Sequence, residues 1–190
     1  MNASRADAPG LPVDPLFQLV LDLPNRRPAA GLPRRLNGLF RELQQETPGR
    51  DPDEIEDLIW AVWISHEERV AEETMGAAVD AMASGELDTA RPLLDRLVTQ
   101  YPGWAEAWNK RATLAFIEKR DADSFADITR ALELEPRHFG AVSGFGQICL
   151  RHGHLNEARA AFQVALSLNP HLKGLRELIS DLSPEVLMLH

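Results

Sequence analysis

The sequence predicts an all-α fold, a right-handed α-solenoid of three helical hairpins preceded by packing helices and closed by a capping helix. Three observations carry this. Pro102, Pro136 and Pro170 stand thirty-four residues apart, and so do Gly85, Lys119 and Gly153. Small residues recur in the same register: Ala78, Ala112 and Gly146, then Ala90, Ser124 and Ala158. Apolar residues between these marks follow helical spacing, and self-similarity at such a period is the mark of stacked repeats.

The first fifty residues hold seven of the thirteen prolines. Residues 1–34 read as an arm, mostly disordered or loosely docked, with too little apolar surface before Pro15 to pack. Asp7, Pro9, Pro12 and Asp14 interrupt the chain where a secretory leader would need an apolar core. Within the arm, Leu16–Leu23 has three readings: a segment docked on the domain, a detachable segment filling a groove, or part of a mobile arm. Residues 35–70 should form two helices. Leu36, Leu39, Phe40 and Leu43 share one face of the first. Asp51-Pro52 followed by Glu54 marks the start of the second, with proline at the first helical position. Ile55, Ile59, Val62 and Trp63 line its apolar side, and this helix is expected to pack on the first hairpin. His66-Glu67-Glu68-Arg69-Val70 starts like a zinc-protease motif but lacks the second histidine.

Residues 71–172 divide into units 71–104, 105–138 and 139–172. In each, a small residue of the first helix (Ala78, Ala112, Gly146) lets the second approach closely. The second helix returns a small residue (Ala90, Ser124, Ala158), then a larger one (Leu94, Ile128, Phe162), then Leu97, Ala131 or Ala165. Pro92 should fall in the first turn of its helix, with a start at about Thr89–Arg91. No hairpin buries both its faces, so stacking supplies the core. Residues 173–190 read as a capping helix with Leu175, Leu178 and Ile179. An apolar tail, Leu182, Val186, Leu187 and Leu189, either extends the cap or associates with another copy.

These units resemble tetratricopeptide repeats. Residues 105–136 carry the likeness best, in Trp108, Ala112, Ala115, Ser124, Ile128, Ala131 and Pro136. The third unit matches through Gly146, Gly153, Ala158, Phe162, Ala165 and Pro170 and departs at Val142, where the family favours an aromatic residue. The first departs at Thr74, Ala77 and Pro92. The helix bearing Ile59, Trp60 and Trp63 is similar to one that precedes the repeats in small bacterial and plastid-type members. The resemblance implies that the first helices line a concave groove. Carried over by position, its candidate residues are Asn109, Lys110, Thr113, Phe116, Gln147, Leu150, Arg151, Val79 and Met82. Lys110 and Arg151 would then favour a carboxylate or an acidic side chain. Trp60, Trp63, Trp108, Ala112, Gly146, Ala158, Pro136 and Pro170 are assigned to structure. Arg111 falls where a leucine is usual and is assigned to structure, either snorkelling with its stem packed and its head wet or bonding an acid of the N-terminal helices or the preceding repeat.

Composition bounds the chemistry. The net charge is −9 and the pI about 5.1, which argues against nucleic acid as a partner. Residues 51–102 alone hold thirteen acids against three arginines. No run is long and apolar enough for a transmembrane segment. Cys149 reads as a small buried hydrophobe, and the histidines, including His138, His152, His154 and His171, lack the spacing of a metal site. No nucleotide-binding, phosphate-loop or hydrolase motif is present. The sequence therefore predicts a non-enzymatic protein-binding module or adaptor without cofactor or metal, cytoplasmic with an organelle or the periplasm also open, its oligomeric state open with a monomer favoured. Its alternatives are an assembly factor acting through self-association and an enzyme with an unrecognised site.

Overall fold

The computed structural model describes residues 13–29, 32–45 and 47–182. Ten α-helices and no strand occur among them: α1 (Val13–Asp22), α2 (Arg35–Leu43), α3 (Pro52–Ile64), α4 (Arg69–Ala83), α5 (Leu87–Gln100), α6 (Ala105–Ile117), α7 (Asp121–Leu134), α8 (Phe139–Arg151), α9 (Leu155–Leu168) and α10 (Leu175–Asp181). The disordered reading of residues 1–12, and the tail residues Val186, Leu187 and Leu189, lie outside the described residues.

The three hairpins α4–α5, α6–α7 and α8–α9 turn in the same way because their sequences impose the same helix stop. Glu86, Arg120 and His154 return their N–H to the carbonyls of Ala81, Ala115 and Cys149, at 2.8, 2.8 and 2.9 Å. The preceding residues Gly85, Lys119 and Gly153 are left-handed, with φ of 75°, 61° and 77°. This is a Schellman stop, which satisfies the carbonyls a helix end leaves open. Two units meet its left-handed position with glycine and the middle one with a lysine, at some strain.

Close helix crossing is the other constraint. Ala78, Ala112, Gly146, Ala90, Ser124 and Ala158 are all buried. The Ser124 hydroxyl donates to the Ala112 carbonyl at 2.8 Å, so even the polar member is satisfied inside the contact. At Gly146 the fit is tightest, since a Cβ there would stand 2.5 Å from the ring of Phe162.

Pro92 differs from the sequence expectation. The helix begins at Leu87, so Pro92 lies inside it rather than in its first turn. It is exposed, and the Asp88 carbonyl that its missing N–H would have engaged can be hydrated there.

The position of α3 also differs. Although Ile64 touches the first hairpin's core, α3 with α2 packs mainly on the edge formed by the inter-repeat loops. Leu36, Phe40 and Leu43 of α2 and Ile55, Ile59 and Trp63 of α3 share a core with Phe139, with Leu168 and Leu172 beside them. The physical reason lies in α4. Its Glu73, Ala77 and Asp80 are exposed and stand thirty-four residues before Ala107, Arg111 and Leu114, the face of α6 that turns to α5. A face bearing two carboxylates finishes the open end of the stack, and it offers no apolar seat.

Polar bonds pin this N-terminal pair to the loops. Asp51 caps α3 by accepting the Asp53 N–H at 2.9 Å. Gln44 donates to the carbonyls of Ser167 and Leu168, both at 2.8 Å, and Asn169 donates to Glu56 at 2.8 Å. Trp104 donates its indole N–H to the Trp63 carbonyl at 2.7 Å.

From Val13 onward the arm is an ordered helix. Leu16, Leu19, Val20 and Leu23 are buried against a core that includes Phe125, Leu132 and Phe162, and α1 contacts α7 and α9. Leu16–Leu23 therefore covers second helices and does not fill a groove between first helices. At the other end, α10 lays Leu175, Leu178 and Leu182 on the same core, against α9.

One consequence is testable by denaturant melting. Gly146→Ala should destabilise the fold by about 1–3 kcal/mol through overpacking against Phe162, although alanine is the better helix former.

Candidate peptide-binding groove

The first helices α6 and α8 run side by side, and the candidate residues fall on the seam between them in three zones.

At the N-terminal end of the seam the side chains form a buried network, within which Trp63 Nε1 has no hydrogen-bond partner among the described residues. Glu106 is fully buried. One carboxylate oxygen meets Lys110 Nζ at 3.0 Å, and the other meets His138 Nε2 at 2.8 Å and Asn109 Nδ2 at 3.1 Å. His138 Nδ1 accepts the Ala141 N–H at 3.2 Å and so caps α8, which places the ring proton on Nε2, directed at Glu106. Trp63 stacks on His138 at 4.1 Å and 8°. Trp60 seats its ring over Gly140, where a Cβ would come within 2.6 Å, and Lys110 holds its ammonium 5.2 Å from that ring's centroid. Burial alone would raise the Glu106 carboxyl, but the His138 hydrogen bond and the charges beside it outweigh burial and hold it below the usual carboxylate range.

In the middle zone Asn109, Thr113, Phe116, Gly140, Gly144 and Gln147 border a cavity of about 90 Å³. The Thr113 hydroxyl turns back to the Asn109 carbonyl at 3.0 Å. Gln147 is exposed.

At the turn end, Arg151 donates to Asp121 at 2.6 Å and to the Phe116 carbonyl at 2.9 Å, its guanidinium 3.5 Å from the centre of the Phe116 ring. Asp121 also meets His152 at 2.7 Å. Ile117 is 47% exposed, and Phe116, Leu150, Val79 and Met82 are half-buried, the first two against the core of the second and third hairpins and the last two against that of the first.

The structure thus brings Asn109, Thr113, Phe116 and Gln147 to one cavity. It engages Lys110 and Arg151 with Glu106 and Asp121, which removes the basis for expecting these cations to select an acidic ligand. Arg111 has a structural place: it grips Asp127 with two bonds, 2.8 and 2.7 Å, and Asp95 of the preceding unit at 3.0 Å. Trp108 donates to the Pro102 carbonyl at 3.0 Å.

The repeat register places Glu106 and Gly140 at inward positions, and His138 lies in the segment Pro136–Ala141 that similar repeat proteins share, but their partners are not legible in sequence: the Glu106–His138 bond joins residues thirty-two positions apart across two units. A second cavity, about 390 Å³, was likewise unforeseen. It lies between the end of α3 and the start of α6, bordered by Leu32, Val62, Trp63, His66, Trp104 and Glu106. Cys149 is buried, and burial pushes its thiol up to about 12, so it stays protonated at neutral pH. Among the described residues no group of three His, Cys, Asp or Glu could hold a metal ion, and no helix is long and apolar enough to cross a membrane.

Two stability predictions follow from these networks. Arg111→Met strands the buried Asp127 and should cost about 3 kcal/mol, most of it recovered in the Arg111→Met/Asp127→Leu double variant. The second is a pH effect. Because the folded-state pKa of Glu106 is depressed, its stabilising contribution is complete above its ordinary value of 4.5 and is lost as pH falls through the lower folded value. The melting temperatures of the protein and of Glu106→Gln should therefore converge as the pH drops below 4.5. A constant difference would refute the assignment.

The comparisons with known proteins agree with this geometry. The tetratricopeptide repeat family matches residues 75–130 and 122–172. A TPR repeat-containing protein of Rhizobium etli is 31% identical over 165 residues, 85% of this chain and 79% of that relative. With the repeat register, the hairpin stack and both matches in agreement, the chain belongs to the tetratricopeptide repeat family.

Proposed function

We propose that this protein is a non-enzymatic adaptor that captures a segment of a partner protein along the seam of α4, α6 and α8. Tetratricopeptide repeats generally mediate protein–protein interaction, and one observation carries the reading to this surface. Among the described residues the side chains of Val79, Met82, Phe116, Ile117 and Leu150 stay partly accessible on the first helices, while α1, α2–α3 and α10 cover much of the rest of the stack; Val70, at the start of α4, is the other strongly exposed large apolar side chain of the repeats. An apolar anchor of the ligand would pack on Ile117 and Phe116, with Thr113 and Gln147 meeting its polar groups. Trp60 and the Glu106 network close the N-terminal end of the seam, which would leave the middle and turn end as the contact surface. Lys110 and Arg151 then serve to hold the groove's shape.

Panning a library of displayed random peptides against the full chain tests this. Selected peptides should lose about tenfold in affinity, or about 1.4 kcal/mol, on Ile117→Asp. The melting temperature should barely move, since the side chain is half exposed. Peptides indifferent to Ile117→Asp would place binding elsewhere.

A further inference from the structure

The N-terminal pair α2–α3 packs one side on the inter-repeat loops, and its other side faces solvent. A groove of about 410 Å³ runs between the two helices on that outer side. Gly38 and Leu39 of α2 and Leu58, Ala61 and Val62 of α3 line it, at intervals that keep each set on one face of its helix. Leu58 is one of four large apolar side chains exposed among the described residues. A Cβ on Gly38 would meet nothing within 4 Å, so the groove is open there.

Charge is divided between the two flanking helices. Arg34, Arg35 and Arg41 are exposed on or next to α2, and none has a carboxylate partner among the described residues. Arg41 donates only to the Asn37 carbonyl, at 3.1 Å. Glu54 and Asp57 are exposed on α3, and neither is in an ion pair among the described residues. Glu42 and Arg50, at the border of the groove, are engaged with each other at 2.5 Å. Arg34, Gly38 and Arg41 share the outward stripe of α2, and Glu54, Asp57 and Ala61 share that of α3. A face that is basic on one helix and acidic on the other is its own complement.

We infer that this face is an interface for a second copy of the chain, with α2 of each protomer against α3 of the other across a two-fold axis parallel to the helices. The two helices are consecutive and joined by a short loop, so they run antiparallel. The axis therefore sets Arg41, in the last turn of α2, level with the partner's Glu54 and the partner's Asp57. Arg34 and Arg35 stand level with the last turn of the partner's α3, the negative end of its dipole. Leu58, midway along α3, meets the partner's Gly38, midway along α2, where there is room for it. The other two-fold arrangement, α2 on α2, would set arginines against arginines and carboxylates against carboxylates. Two helices of these lengths give a face of about 20 by 20 Å, half the standard area per partner. The dimer is accordingly weak and forms with rising concentration. None of these residues lines the seam of α4, α6 and α8, so the dimer stands apart from the groove reading and carries that seam twice.

Sedimentation of the full chain over a range of concentrations tests this. The chain should pass from monomer to dimer below about 1 mM. Arg41→Glu and Asp57→Arg each set like charges together twice in the dimer, and each should weaken it tenfold or more. An equimolar mixture of the two variants should regain the dimer, because the two substitutions then oppose each other. Leu58→Asp should leave the chain monomeric. All three side chains are exposed, so the melting temperature of the dilute protein should barely change and misfolding is separable from lost association. A chain that stays monomeric up to about 1 mM overturns the interface. So does a dimer that none of the three substitutions weakens, or a mixture that associates no better than its components.

Discussion

The whole molecule depends on how closely the two helices of each hairpin approach. A small residue at Ala78, Ala112 or Gly146 sets that approach, and the facing second helix answers with Ala90, Ser124 or Ala158. The interhelical gap is too narrow for longer side chains, so the larger fillers Leu94, Ile128 and Phe162 lie one turn on, where they seal it. The Schellman stop repeats the hairpin's shape, and repetition of shape at a constant period lets the hairpins stack. Once stacked, their first helices stand together, and the groove is a by-product of that packing rather than an added feature.

Stacking leaves ends and edges, and the remaining chain is spent on them. The α4 end is finished by charge, in Glu73 and Asp80. The α9 end is covered by α10 and by α1, which bury apolar side chains that charge could not finish. The inter-repeat edge receives α2 and α3. Trp104 and His138, one period apart, both bind Trp63, the first by a hydrogen bond and the second by stacking, so a single aromatic helix grips two loops. This arrangement couples the N-terminal pair to the groove, because the His138 that stacks on Trp63 also anchors Glu106, and Glu106 orients Asn109.

The electrostatics of the seam turn on which charges the fold has already paired. Lys110 and Arg151 occupy inward positions, yet each sits beside a buried carboxylate that its own fold supplies. A cation within 3 Å of such a partner gives up little of that bond to an incoming ligand, and the exchange offers small net gain. What the seam leaves unspent is apolar surface at Ile117 and Phe116 and a free amide at Gln147.

The sequence by itself determined the hairpins, their number, their turns and their crossing points. Each of these rests on contacts within a unit or between adjacent units, and a fixed period makes such contacts visible as spacing. The cap on α3 was legible for the same reason, since Asp51 bonds two residues away. The groove was legible only as a set of positions on Asn109, Thr113, Phe116 and Gln147. Whether those side chains are free or engaged depends on Glu106, Asp121 and His138, whose partners are set by three-dimensional neighbourhood and by no repeated interval. Tertiary structure alone decided the seats of α1, α2 and α3. Their apolar faces fit any apolar surface in principle, and only the folded array shows that the α4 end is polar while the loop edge, at Phe139, Leu168 and Leu172, is not. Hydrophobic burial is non-directional: a sequence shows that a face must be covered, and the finished surface shows where.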